Sequence, residues 1–204
     1  MEEKTPKTQE QEQAGPEPKS FRGALWDTLK FFLLAALIVL PVRLYIAQPF
    51  VVNGDSMVST FQSGEYLIVD EISYRFREPM RGDVIILRYP RDPSKFFIKR
   101  IVGLPGETLF LKDGSVTVTN ADNPEGFTLS EEYISSVRIG EFINITLEDD
   151  EYFVMGDNRK DSSDSRIWGP ITDEHIVGRA FLRLFPVARA NIFPGAVDFA
   201  PAVQ

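Results

Sequence analysis

The spacing of apolar and polar positions changes twice along the chain. Residues 1–20 are polar, with three Pro and almost nothing apolar. They offer too little surface to offset their chain entropy, which predicts a disordered tail over residues 1–22. The run Phe31-Phe-Leu-Leu-Ala-Ala-Leu-Ile-Val-Leu40 follows, continued by Pro41 and Val42 and bounded by Lys30 and Arg43. Its uncharged stretch of about 12 residues falls short of the roughly 20 that span a bilayer. Extension from Leu25 to Ala47 supplies the length if Lys30 and Arg43 snorkel to opposite interfaces, with Trp26 and Tyr45 as interfacial residues. This pattern predicts a transmembrane helix over 23–47; a cleaved signal peptide and a buried core helix are the alternatives. The cleaved reading lacks a small-x-small site, because Tyr45-Ile46-Ala47 places a bulky residue where a small one is needed. Lys19, Arg22 and Lys30 precede the run and only Arg43 closely follows it. That bias puts the N-terminus in the cytoplasm and residues 48 onward outside.

Beyond the apolar run the period becomes two. Tyr66–Val69, Asp83–Tyr89 and Phe96–Val102 read as strands rich in β-branched and aromatic residues. Thr108–Lys112 and Ser115–Thr119 flank Asp113-Gly114, whose residues suit the positive φ angles of a type I′ hairpin turn. Glu151–Met155 and Gly178–Phe185 complete the set. Residues 120–150 are polar and irregular, the pattern of an inserted loop or small lobe. The fold class expected is mainly β: a catalytic-sized extracytoplasmic domain over 48–190 on one N-terminal helix, with 191–204 as a C-terminal tail.

Composition narrows the chemistry. Lys and Arg number 22 against 30 Asp and Glu, for a net charge of -8. That balance argues against nucleic acid as a partner, since phosphates demand an excess of basic side chains on one face. The absence of Cys removes disulfides, thiolate nucleophiles and cysteine-ligated metal, and a lone His (His175) removes any multi-histidine site. No cofactor or metal is expected. Chemistry is left to Ser, Thr, Lys, Asp, Glu, Tyr and Arg.

Three blocks carry candidate residues. Gly54-Asp55-Ser56-Met57 places a hydroxyl on a tight turn leaving a strand, where an ordinary turn serine is the bland alternative. In Phe97-Ile-Lys99-Arg100-Ile-Val-Gly, alternation sets Phe97, Lys99 and Ile101 on one face and Ile98, Arg100 and Val102 on the other. A lysine between Phe and Ile is either an edge-strand gatekeeper or a desolvated amine. Desolvation lowers a lysine pKa, and a neutral amine near pH 7 serves as a general base. The third block, Gly156-Asp157-Asn-Arg-Lys-Asp-Ser162-Ser-Asp164-Ser-Arg166-Ile-Trp-Gly169, invites a calcium-loop reading. That reading fails, because Ser162 stands at the glycine position and Trp168 at the closing glutamate position. Arg81-Gly82-Asp83 reads as a turn before a strand, Asn144-Ile-Thr146 as a sequon without wider meaning, and His175 as a surface or satisfied residue.

Together the three blocks resemble the type I signal peptidases, membrane-bound Ser/Lys endopeptidases. The likeness runs from about Phe31 to Pro186, with the family's boxes at Gln48–Phe61, Arg81–Leu87, Lys99–Glu107 and Gly156–Gly169. The resemblance implies Ser56 as nucleophile, with its backbone N–H as oxyanion donor, and Lys99 as general base. It implies Ser162 as the hydroxyl that orients the lysine, Asp164 and Arg166 as a supporting ion pair, and Asp157 and Arg100 as further partners. The implied substrates are secretory preproteins with small residues at -1 and -3, cleaved outside the lipid bilayer. The peptide would add as a strand along Val51–Asn53, with Phe50, Val52 and Met57 as pocket walls. Ile98 also matches a pocket residue, but alternation places it opposite Lys99.

Two positions depart from part of the family: Gly54 stands where one branch has a serine donor, and Ser59 where proline is usual. Two rivals share features of the pattern. A cytoplasmic self-cleaving repressor-type protease has the dyad but not the apolar segment, and an inactive membrane-anchored β scaffold has no use for Ser56, Lys99 and Ser162 together.

Overall fold

The structure, a computed structural model, describes residues 21–41, 47–197 and 199. Of the tail expected over residues 1–22, residues 1–20 lie outside the described residues, and Phe21 and Arg22 already belong to the helix. The chain divides into two compact units at Pro41/Val42. The first contains helix α1 (Phe21–Pro41). Its apolar side chains are exposed, among them Leu25, Phe31, Leu33 and Leu37. Among the described residues, no helix is long and apolar enough to cross a membrane. The helix does not continue to residue 47: residues 42–46 lie outside the described set, and Ala47 already opens the first strand.

The second unit is built on two sheets. Strands β1 (Ala47–Val51), β2 (Tyr66–Asp70), β3 (Val84–Tyr89), β4 (Asp92–Gly103), β9 (Glu151–Met155), β10 (Ile171–Thr172), β11 (Ile176–Phe185) and β12 (Asn191–Ile192) form an eight-stranded sheet in the order β1-β2-β11-β3-β4-β9-β10, with β12 paired to β11. All these pairings are antiparallel. Pro49 is tolerated in β1 because that strand lies at the sheet edge. The expected run Phe96–Val102 is the second half of the longer β4.

The second sheet has the order β7-β6-β5-β8, from β5 (Thr108–Lys112), β6 (Ser115–Thr119), β7 (Phe127–Thr128) and β8 (Phe142–Thr146). Asp113 and Gly114 both take positive φ, 50° and 86°, as the type I′ turn requires. Residues 120–150 therefore hold two strands and are part of an ordered lobe. Part of the expected C-terminal tail, residues 191–195, packs on the sheet unit. Asn191 and Ile192 pair with Arg183 and Leu182, and Gly195 packs against Thr60, Phe61 and Arg100.

Period-two alternation explains the three cores. Val84, Ile86 and Ile98 face Val52, Met57, Phe61, Leu67 and Val69. Ile85, Leu87 and Ile101 face the other way, toward Tyr152, Val154 and Ile171. Leu109, Leu111, Val116 and Val118 of the lobe pack on Val102, Phe153 and Met155. The Arg81-Gly82-Asp83 segment is structural. Gly82 has φ +90°, Asp83 is buried and accepts from Tyr74 Oη at 2.9 Å, and Arg81 pairs with Glu107.

Candidate active site

Ser56 sits on the turn that leaves β1, where Gly54 takes φ +94°. No neighbour lies within 4 Å of where a Cβ on Gly54 would stand, so glycine is needed there for its backbone angle and not for space. A serine at 54 would be strained. The Gly54 N–H instead faces the hydroxyl oxygen of Ser63 at 3.4 Å.

β4 brings Lys99 to the same place. Its Nζ lies 2.8 Å from Ser56 Oγ and donates to the Ile98 carbonyl oxygen at 2.9 Å. The Lys99 side chain is 3% exposed, and its nitrogen stands 5.2 Å from the centre of the Phe97 ring. Burial pushes its pKa down from 10.5 to about 8. The Asp164 and Asp157 carboxylates pull it upward and the Arg166 guanidinium adds to the lowering, but desolvation is the largest influence. The gatekeeper alternative is therefore wrong: this lysine is in the core, bonded to a serine hydroxyl.

The third block wraps behind the pair. Arg100 grips Asp157 through two bonds, Nε–Oδ1 at 2.8 Å and Nη2–Oδ2 at 2.7 Å, and both side chains are about 1% exposed. Asp157 also accepts from Thr60 Oγ1, tying the ion pair to the turn beyond Ser56. Arg100 donates to the carbonyls of Gly82 and Gly195, and its guanidinium lies 4.0 Å from the centre of the Tyr133 ring. Asp164 pairs with Arg166 through Oδ1–Nε at 2.8 Å and Oδ2–Nη2 at 2.9 Å. Burial pushes the Asp164 carboxyl up, but the Arg166 guanidinium, the Gly156 N–H and the Ser162 hydroxyl outweigh it and hold the carboxyl below its usual range.

Ser162 departs from expectation. It is buried, yet it makes no hydrogen bond to Lys99, and its Oγ has no partner at ordinary hydrogen-bond geometry. The cause is local packing, because Ser162 closes over the bare Cα of Gly156. A Cβ on Gly156 would stand 2.6 Å from Ser162 Cβ, and closer still to Ser162 Oγ and the Ser56 carbonyl oxygen. Gly156→Ala is therefore expected to cost about 1–3 kcal/mol and to lower the cleavage rate. Thermal melting and a peptide-cleavage assay on the variant check this; wild-type values in both would contradict the packing argument.

A cavity of about 90 Å³ opens beside the pair, lined among others by Phe50, Val52, Ser56, Ile86, Ile98 and Lys99. Phe50 and Val52 are where the sequence placed them. Met57 is not a wall: it is 1% exposed and packs in the core with Phe61 and Leu67. Ile98, set aside on alternation, does line the cavity. Its Cβ lies opposite that of Lys99, but the lysine's long stem brings the amine to the Ile98 carbonyl and so to the same pocket. Phe96, also lining it, packs edge-on to Phe50 at 5.5 Å. A larger open cleft of about 610 Å³ around Tyr74, Phe76 and Asp149 includes neither Ser56 nor Lys99.

Asn158, Thr60 and Tyr133 touch this machinery without having been singled out. Asn158 lay within the third block, and the block was its only signal. Thr60 lay within the box at Gln48–Phe61 with nothing further to mark it, and Tyr133 is brought in by tertiary packing alone.

The family profile described as signal peptidase, peptidase S26, matches residues 25–185. A probable signal peptidase I-1 of Synechocystis sp. is 33% identical over 194 residues, covering 92% of this chain and 94% of that protein. A signal peptidase I of Leptolyngbya laminosa is 34% identical over 192 residues, covering 91% of each. A crystal structure of a signal peptidase I from Enterococcus faecalis V583 is 30% identical, with TM-score 0.43, covering 50% of this chain and 97% of that one. On the profile match and on relatives aligned over nearly their whole length, the chain belongs to the signal peptidase family, peptidase S26.

Proposed function

We propose that this protein is a serine endopeptidase that removes N-terminal signal peptides from secretory preproteins, with Ser56 as nucleophile and Lys99 as general base. The observation that carries this reading is the 2.8 Å contact between Ser56 Oγ and the Nζ of a buried Lys99. An amine with a pKa of about 8 is partly neutral near pH 7 and accepts the hydroxyl proton as Oγ attacks the scissile carbonyl. The resulting ammonium then protonates the leaving amine. An ester on Ser56 remains, and water, deprotonated by the same lysine, releases the signal peptide. Asp157, Arg100, Asp164 and Arg166 hold the pair in place, and Ser162 backs the Asp164 carboxylate.

Backbone pairing supports strand addition of the substrate. Val52 N–H bonds to the Glu65 carbonyl and Val52 C=O to the Gly64 N–H. Alternation then turns the backbone groups of Val51 and Asn53 toward the open edge, where an extended peptide pairs. The small cavity walled by Phe50, Val52 and Ile98 suits methyl-sized side chains, in keeping with small residues at -1 and -3. The segment 23–47, which includes most of α1, serves as the membrane anchor, with the N-terminus cytoplasmic and the catalytic unit outside on the charge bias of the sequence. Support comes from the exposed side chains of Phe31, Phe32, Leu33, Leu34, Leu37 and Val39, with Lys30 stacked 5.5 Å from the Trp26 ring in interfacial style.

The test is incubation of the detergent-solubilised protein with a signal-bearing preprotein. Wild type is expected to yield the mature product and Ser56→Ala none. Equal processing by both would overturn the reading.

A further inference from the structure

The two peptide groups flanking Ser56 are both held by one residue, Asn158, which is 9% exposed. Its backbone N–H donates to the Ser56 carbonyl oxygen at 3.0 Å. Its side-chain Nδ2 donates to the Asp55 carbonyl oxygen at 3.1 Å. The Asp55 carbonyl and the Ser56 N–H belong to one planar peptide unit, so fixing the first fixes the direction of the second. Holding the carbonyls on both sides of the Ser56 Cα restrains its φ and ψ, and with them the line from Oγ to Lys99.

Asn158 is itself held by the lobe. Ser136 Oγ donates to Asn158 Oδ1 at 2.7 Å, and the two residues form an isolated parallel bridge. The same segment reaches the nucleophile turn twice more: Ser135 Oγ donates to the Val58 carbonyl at 2.9 Å, and Ser59 Oγ donates to the Tyr133 carbonyl at 3.4 Å. Residue 59, where the family usually has proline, here uses its hydroxyl to join turn and lobe.

We infer that Asn158 is a positioning residue for acylation, aiming the Ser56 N–H and Oγ at the scissile carbonyl, and that Ser136 acts through it. The inference rests on Ser56 being the nucleophile. Asn158 touches neither substrate nor Lys99; it acts by orientation. Misplacing a reacting group by about 1 Å costs about a hundredfold in rate. Ser136 supplies one hydrogen bond to an amide that keeps its other partner, worth about 1 kcal/mol or roughly a fivefold change.

The experiment measures kcat, KM and the pH profile on a signal-bearing substrate, with melting midpoints alongside. Asn158→Ala is expected to lose about a hundredfold in kcat, with KM near wild type and the acid limb at its wild-type pH, and Asn158→Asp to lose as much in kcat. The Asp variant keeps the acceptor for Ser136 but sets a carboxylate oxygen against the Asp55 carbonyl, so isosteric size does not rescue it. Ser136→Ala is expected to lose about fivefold in kcat and Ser136→Thr to restore it. The double variant Ser136→Ala/Asn158→Ala is expected to be no slower than Asn158→Ala alone. Wild-type kcat in both Asn158 variants, or multiplied losses in the double variant, would overturn the inference. If Asn158→Ala does not fold, the Ser136→Ala loss and its recovery in Ser136→Thr decide the matter. Ser56→Ala run in parallel separates the two readings: turnover there sinks the nucleophile assignment, whereas a dead Ser56→Ala beside fully active Asn158 variants sinks only this inference.

Discussion

Replacing Lys99 with methionine is expected to lower preprotein cleavage by about 10³-fold or more, while leaving the protein folded. Methionine keeps the length and apolar fit of the stem and removes only the proton acceptor. In the wild type, the neutral amine is the active form, so cleavage is expected to fall about tenfold per pH unit below about 8. At pH 6 the rate is then about a hundredfold below its plateau. The stability consequence has the opposite origin. Between the folded pKa of about 8 and the ordinary 10.5, the unfolded chain binds more protons, so folding stability from this group rises with pH across that window. Below it, the buried ammonium is a standing penalty of about 3 kcal/mol. Lys99→Met is therefore expected to melt higher than wild type at pH 7 even as it loses activity. A methionine variant that cleaves well, or a rate flat down to pH 5, would refute the neutral-amine mechanism.

The second large effect concerns Arg100 and Asp157. Their charges are both out of water and satisfied mainly by each other. Asp157→Ala strands the guanidinium in the core and is expected to cost about 3–5 kcal/mol, a large part of the stability of an ordinary domain. Cleavage falls with it, because the Thr60 hydroxyl loses its acceptor beside the nucleophile turn. The double variant Arg100→Met/Asp157→Leu removes both charges and is expected to recover most of the lost stability. Denaturant midpoints for the two variants test this; a single variant within about 1 kcal/mol of wild type would show that the pair carries little.

Much of this was readable from residue order. Period-two runs located most of the main strands, and Asp113-Gly114 announced its turn. The three polar blocks fell together around one serine and one lysine. Two kinds of information were not available. Alternation says on which side of β4 a Cβ stands, yet a four-carbon stem carries the lysine nitrogen out of its own face. Ile98 and Lys99 therefore share a pocket that alternation alone would divide. The lobe was opaque for another reason: Phe127–Thr128 and Phe142–Thr146 are short strands, and they are stable only because β5 and β6 offer edges to pair with. No local pattern could reveal that Ser136 would meet Asn158, or that Ser162 would settle over Gly156 rather than against the amine.

The Gly195 carbonyl bonds to Arg100, whose other partners come from Gly82 and Asp157. A chain cut before residue 195 would leave this buried guanidinium one acceptor short. Truncation just before that glycine is therefore expected to lower the melting midpoint, by removing one charge-assisted hydrogen bond from the core.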